Sequence, residues 1–155
     1  MFFEHFVQIN DPTNPDVPLL SRAEVWSGLW QRVEHPQLFL PGLTACAILA
    51  REGDCISRRL EFGNALIFDR VFHSEGEWLR FDVEAGEEHA GGVLVITLEE
   101  PEPGCLSLSF VYQTTLELSG ADAEYAEYVK SAYRDSDLET VRVIRSLVDG
   151  SRHPV

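Results

Sequence analysis

Lysine is almost missing from this 155-residue chain: Lys130 is the only one. Twelve Lys and Arg stand against 26 Asp and Glu, for a formal charge of −14. No polybasic run exists, which argues against nucleic acid and against anionic membrane surfaces, since both are polyanions that reward clustered Lys and Arg. Cysteine is scarce as well. Cys46, Cys55 and Cys105 are odd in number and lack CxxC spacing, a pattern expected of reduced, buried thiols in a cytoplasmic protein. The first residues, MFFEHFVQIND, lack a basic segment and carry Glu4, so they do not read as a signal peptide. No apolar run is long enough for a membrane span.

Catalytic and metal motifs are equally sparse. There is no G-x-S-x-G, and His5, His35, His73, His89 and His153 show neither H-x-H nor HExxH spacing. Gly91-Gly92 reads as a turn, not as a phosphate loop. No cofactor and no metal are implied.

What is present organises one domain over residues 1–155, with hydrophobic content of 45% and enough length for a core without staples. Residues 2–9 read as a strand, followed by the loop NDPTNPDVP. Ser21 and Glu24 form a capping box, and Val25, Trp26, Leu29, Trp30 and Val33 make a helical stripe. HPQLFL offers a short second helix closed by Pro41-Gly42. About six strands between 43 and 118 are separated by turn signals. Ser119 and Asp122 suggest a second capping box, opening a long helix that Gly150 should stop. Segregated strands and helices predict an α+β fold: a curved antiparallel sheet of about seven strands around a long C-terminal helix.

On that last helix, Tyr125, Val129, Ala132, Tyr133, Ser136, Thr140, Val143 and Leu147 share a stripe, with Asp137 on its flank. Ser136 and Thr140 interrupt an otherwise apolar face. Either they bond back to the preceding turn, or the helix lines a cavity at their level. In the strands, Leu106, Leu108, Phe110, Tyr112, Thr114 and Leu116 share one face, as do Leu79, Phe81 and Val83.

Arg58 falls on an apolar face with Ile56, Leu60 and Phe62. A buried cation needs a partner. Gly63-Asn64 is a two-residue hairpin signal, and that turn pairs Arg58 with Asp69. A loop one residue longer would flip the strand and set Arg58 against Arg70, much the worse arrangement in a core. Leu66, Phe68, Arg70 and Phe72 then face outward beside Trp78 and Arg80. So apolar an outer face is expected to be covered or to make a contact, most simply a homodimer through Phe68, Arg70, Phe72 and Trp78.

Several segments carry a resemblance: FEHFVQIND at 3–11, LSRAEVWSGL at 20–29, HPQLFLPG at 35–42, RRLEFG at 58–63, DRV at 69–71, EEPEPG at 99–104 and EYAEYVKSAYRDSDLETVRVIR at 124–145. Together they resemble the SRPBCC (START/Bet v 1-like) superfamily, and more narrowly its AtaL-like branch. The resemblance implies a helix-grip fold with an apolar cavity between sheet and C-terminal helix. Some relatives bind lipids or hormones, some are polyketide cyclases, and some are hydroxylase domains with metal centres, so the fold alone does not fix the activity.

Two main readings follow, and a weaker third. One is a binding protein for a small hydrophobic molecule, contacted by Arg58, Asp69, Tyr112, Thr114, Tyr133, Ser136, Asp137 and Thr140. The other is a polyketide cyclase/aromatase-like or isomerase-like enzyme using Asp69 or Asp137 as acid or base. A third, a co-chaperone-like interaction module, would use the outer aromatic face. Arg58–Asp69 itself could serve only to fix strand register.

Overall fold

A computed structural model describes residues 1–87, 89–115 and 123–153. Strand β1 (Phe2–Gln8) precedes helix α1 (Arg22–Glu34). Six strands follow: β2 (Ala45–Glu52), β3 (Cys55–Phe62), β4 (Ala65–Ser74), β5 (Trp78–Val83), β6 (Gly92–Glu102) and β7 (Cys105–Thr114). Helix α2 (Ala123–Arg152) ends the chain's regular structure.

The Ser21 hydroxyl accepts from the Glu24 amide at 3.1 Å, and the Glu24 carboxylate accepts from the Ser21 amide at 2.8 Å. This reciprocal box satisfies two of the amides that a helix start leaves open. The second short helix is only a 3₁₀ turn, Pro36–Leu38, because Pro41-Gly42 leaves too few residues for a longer one. The capping box expected at Ser119 and Asp122, and Leu116, lie outside the described residues. Gly150 does not stop α2, which continues to Arg152. The Arg152 guanidinium holds that end by donating to the Leu19 carbonyl and to the Glu24 carboxylate.

The sheet runs β1-β7-β6-β5-β4-β3-β2, with every neighbouring pair antiparallel. Strands β2 to β7 meander, and β1 closes against the last of them. The hairpin between β3 and β4 sets the register that matters most. Gly63 takes φ +61° and Asn64 does not follow it, the type II′ pattern that suits strand twist. It pairs Phe62 with Ala65, Leu60 with Ile67 and Arg58 with Asp69.

The inward face of this curved sheet carries Ile56, Leu60, Val71, Leu79, Phe81, Ile96, Leu108 and Phe110, all buried. Against it lie α1, through Val25, Leu29 and Val33, and α2, through Val141, Ile144 and Val148. The two helices meet where Gly28 faces Ile144. A Cβ on Gly28 would come within 2.8 Å of the Ile144 side chain, so the contact depends on glycine's lack of one.

Helix α2 is rotated relative to the stripe expected from its sequence. Among its first ten residues only Ala126 is buried; Tyr125 and Ala132 are exposed. Asp137, expected at the flank, is fully buried at the centre of the packed face. Polar partners in the sheet accept it there.

The outward face of β4 is as apolar as the pattern suggested. Leu66 and Phe68 are 48% and 39% exposed, Arg70 is exposed, and Phe72 lies under the Arg80 guanidinium, 4.4 Å from its carbon to the ring centre.

Candidate functional site

Arg58 and Asp69 lie on adjacent strands in direct register, 2% and 4% exposed. Arg58 donates from Nε to Asp69 Oδ1 at 2.9 Å and from Nη2 to Oδ2 at 2.5 Å. This side-by-side pairing is the strongest geometry open to the two groups. Nη1 donates to the carbonyls of Arg32 and Val33, at 3.3 and 3.0 Å. Those carbonyls belong to the last turn of α1, where a helix leaves acceptors open and where a cation is favoured. One guanidinium therefore joins β3, β4 and the end of α1.

Arg32 stands beside it on the inner side of α1. It is 6% exposed, with its guanidinium carbon 4.9 Å from the centre of the Phe81 ring; that of Arg58 is 5.3 Å from the same ring. Arg32 Nε lies 3.4 Å from Thr140 Oγ1 as a long hydrogen bond, and the Thr140 hydroxyl donates to the Ser136 carbonyl at 3.1 Å. Burial lowers the pKa of this guanidinium below its ordinary value. Arg32 is not among the residues expected from the sequence, since the apolar stripe of α1 (Val25, Trp26, Leu29, Trp30, Val33) alone marks its buried side. The signal was present, since 25, 29 and 32 follow helical spacing onto the buried side.

On the other flank, the Tyr112 hydroxyl donates to Asp137 Oδ1, and His5 Nδ1 lies 2.9 Å from Asp137 Oδ2. The Tyr112 ring stacks on Tyr133, centres 4.0 Å apart and planes within 6°. Burial raises the Tyr112 pKa well above the ordinary phenol value, and Asp137 adds to it. Burial raises Asp137 too, while the bonds from Tyr112 and His5 act in the opposite direction. Tyr112 thus stays protonated and donates a hydrogen bond to Asp137. His5 was missed as a member of this group, although Phe3, His5 and Val7 alternate onto the inward side of β1.

Arg32, Arg58, Asp69, Tyr112 and Tyr133 border a cavity of about 340 Å³ between the sheet, α1 and α2. Leu60, Phe62, Ile67, Val83 and Leu94 supply much of its apolar wall, and Arg32, Arg58, Asp69 and Tyr112 its polar end. Of the eight residues singled out in the sequence, Arg58, Asp69, Tyr112, Thr114 and Tyr133 line it. Ser136, Asp137 and Thr140 do not. Asp137 is bonded to Tyr112 and Thr140 to Arg32, so each contacts a lining residue. Ser136 lends only its backbone carbonyl to Thr140. Gly91 and Gly92, read as a turn, also line the cavity. A second hollow of about 450 Å³ shares Ala90, Thr114 and Tyr133 with the first.

Among the described residues, no three His, Cys, Asp or Glu side chains are grouped to hold a metal ion. No helix among them is long and apolar enough to cross a membrane.

A protein-family model described as AtaL, "Acetylaranotin biosynthesis cluster protein L", matches residues 7–151. No curated protein sequence matches the chain. Solved structures share its fold at low identity. The Zhui aromatase/cyclase from Streptomyces sp. R1128 superposes with a TM-score of 0.72 at 11% identity, covering 99% of this chain and 96% of that one. The di-domain ARO/CYC StfQ from the steffimycin biosynthetic pathway gives 0.73 at 10% identity, over 99% of this chain and 52% of the larger protein. A START superfamily protein from Mycobacterium smegmatis gives 0.62 at 16% identity, over 96% and 97% of the two chains. These likenesses place the architecture in the SRPBCC superfamily, with its helix-grip fold.

Proposed function

This chain belongs to the AtaL family, and we propose that it binds a small hydrophobic molecule in the cavity between the sheet and α2. The observation that carries this reading is the cavity itself: about 340 Å³ of mostly apolar wall with polar groups gathered at one end. That size and composition are those of small-molecule sites, where apolar area supplies affinity and a few polar groups set orientation. Native mass spectrometry of the protein purified from its own host tests it. A co-purifying small molecule is the expected result. Failure to take up any neutral apolar dye from water would overturn the reading.

A second reading, a polyketide aromatase/cyclase-like enzyme, is favoured by one specific arrangement. Tyr112 presents a buried phenol to the cavity, backed by Asp137 and His5, and Asp69 supplies a carboxylate in the wall. Such chemistry needs little beyond substrate shape and one placed acid or base. The Zhui and StfQ structures, described as aromatase/cyclases, share the fold. Asp69→Asn and Asp137→Asn separate the readings. Ligand affinity stays within a few-fold if the carboxylates serve structure, whereas turnover of a cyclisable substrate disappears if either acts in the chemistry.

The outer face of β4 fits a second copy of this chain. Exposed Leu66 and Phe68 sit among Arg59, Arg70 and Arg80 and among Glu61, Asp82 and Glu84, so both signs of charge are available to a two-fold contact. The three cysteines are unpaired and half-buried rather than buried, and they suit a reducing, cytoplasmic setting.

A further inference from the structure

Arg32 is the charged group in the cavity wall whose terminal nitrogens are left over. The carboxylates around it are committed. Both oxygens of Asp69 receive Arg58, and those of Asp137 face Tyr112 and His5. Among the described residues no carboxylate comes within ion-pairing distance of Arg32, and its one side-chain hydrogen bond is the long one from Nε to Thr140. Nη1 and Nη2 have no protein acceptor there. The residue is more than nine-tenths buried and borders the cavity. A cation so placed needs an anion or water.

We infer that Arg32 receives the carboxylate of a hydrophobic carboxylic acid, with its apolar body against Leu60, Phe62, Ile67 and Leu94. The inference rests on the cavity being a ligand site, and adds the chemical class of the ligand and the residue that selects it. The guanidinium fork matches two carboxylate oxygens. Phe81 beneath both arginines holds the two cations side by side, and an incoming anion relieves their mutual repulsion. Arg58 is the less available of the two, because its donors already serve Asp69 and the end of α1. Burial, which lowers the Arg32 pKa, makes an uncompensated charge costly there, and a bound carboxylate reverses that effect.

N-Phenyl-1-naphthylamine, a neutral dye that brightens on leaving water, reports occupancy of the cavity. 2-Naphthoate and its neutral isostere 2-naphthamide are then titrated as competitors. For the wild-type protein, naphthoate should displace the dye at about a tenfold lower concentration than the amide, the effect of one good charged hydrogen-bonded contact. In Arg32→Met the ratio should fall to near one while the dye still binds. Equal competition in the wild type, or a preference that survives Arg32→Met, overturns the inference and leaves cavity binding intact. A wild-type protein that takes up neither dye nor naphthalene overturns cavity binding as well. Should Arg32→Met not fold, Arg32→Gln removes the charge, keeps a donor for Thr140 and decides by the same ratio.

Discussion

Tyr112 and Asp137 meet across the sheet–helix boundary, the phenol of β7 donating to the carboxylate of α2. The ring presenting that phenol lies flat on Tyr133, so packing aims the hydroxyl and the carboxylate receives it. Sheet and helix are thereby fixed at one rotation. Tyr112→Phe keeps the stack and removes the donor. It should cost about 1–3 kcal/mol, the usual range when a buried polar partner is left unsatisfied, seen as a lower urea midpoint with unchanged slope. An unaltered midpoint would show that the bond carries no net stability.

The same carboxyl should make stability depend on pH in an unusual direction. Burial holds Asp137 above its ordinary 3.8, so the folded protein binds this proton more tightly than the unfolded chain. The resulting stabilisation is complete below about 3.8 and is lost as pH rises through the higher folded value. Asp137→Asn cannot ionise. The stability of the wild type relative to this variant should therefore fall as pH rises from about 3.8 through the raised folded value, read in urea titrations. A difference that stays constant with pH would contradict the assignment.

Removing one partner of the Arg58–Asp69 pair should be far worse than removing both. Asp69→Ala strands a buried guanidinium and is expected to cost about 3–5 kcal/mol. Arg58→Met combined with Asp69→Leu fills the space with apolar atoms and should recover most of that loss. Recovery stays incomplete because the α1 carbonyls lose their donor. Chemical denaturation of the three proteins measures it. A double variant as unstable as the single one would mean that the pair adds stability outright.

If a second copy covers the outer face, light scattering should give the wild type at twice the chain mass and Phe68→Ser/Phe72→Ser at the chain mass. A wild-type monomer, or a variant that stays dimeric, sinks the contact.

Much of this architecture is legible in the sequence, with exceptions that have physical causes. Period-two alternation and the Gly63-Asn64 turn were enough to set Asp69 opposite Arg58, since a slip of one residue reverses every side chain. Helix α2 was harder. One residue moves a side chain by about 100°, and its sequence offers two adjoining stripes of mixed polarity, so Asp137 read as flanking when it is central. Arg32 and His5 escape a pattern of apolar residues because that pattern marks the buried side of an element without marking the polar side chains that share it. The cavity is suggested by Ser136 and Thr140 and by the family resemblance. Those two residues do not line it, because Thr140 bonds back to the preceding turn and an interior space depends on which side chains stop short of one another.

The three-way junction at Arg58 has a mechanical consequence. Its Nη1 holds the backbone carbonyl of Arg32, the residue whose side chain faces the cavity. Parting α1 from β3 would break the ion pair and both carbonyl bonds together, in a place where water arrives late. This wall of the cavity therefore behaves as one solid piece, shaped when the chain folds and not when a guest arrives. A molecule gripped by Arg32 would pull on the strand pairing itself, so an occupied cavity should make the protein slower to come apart.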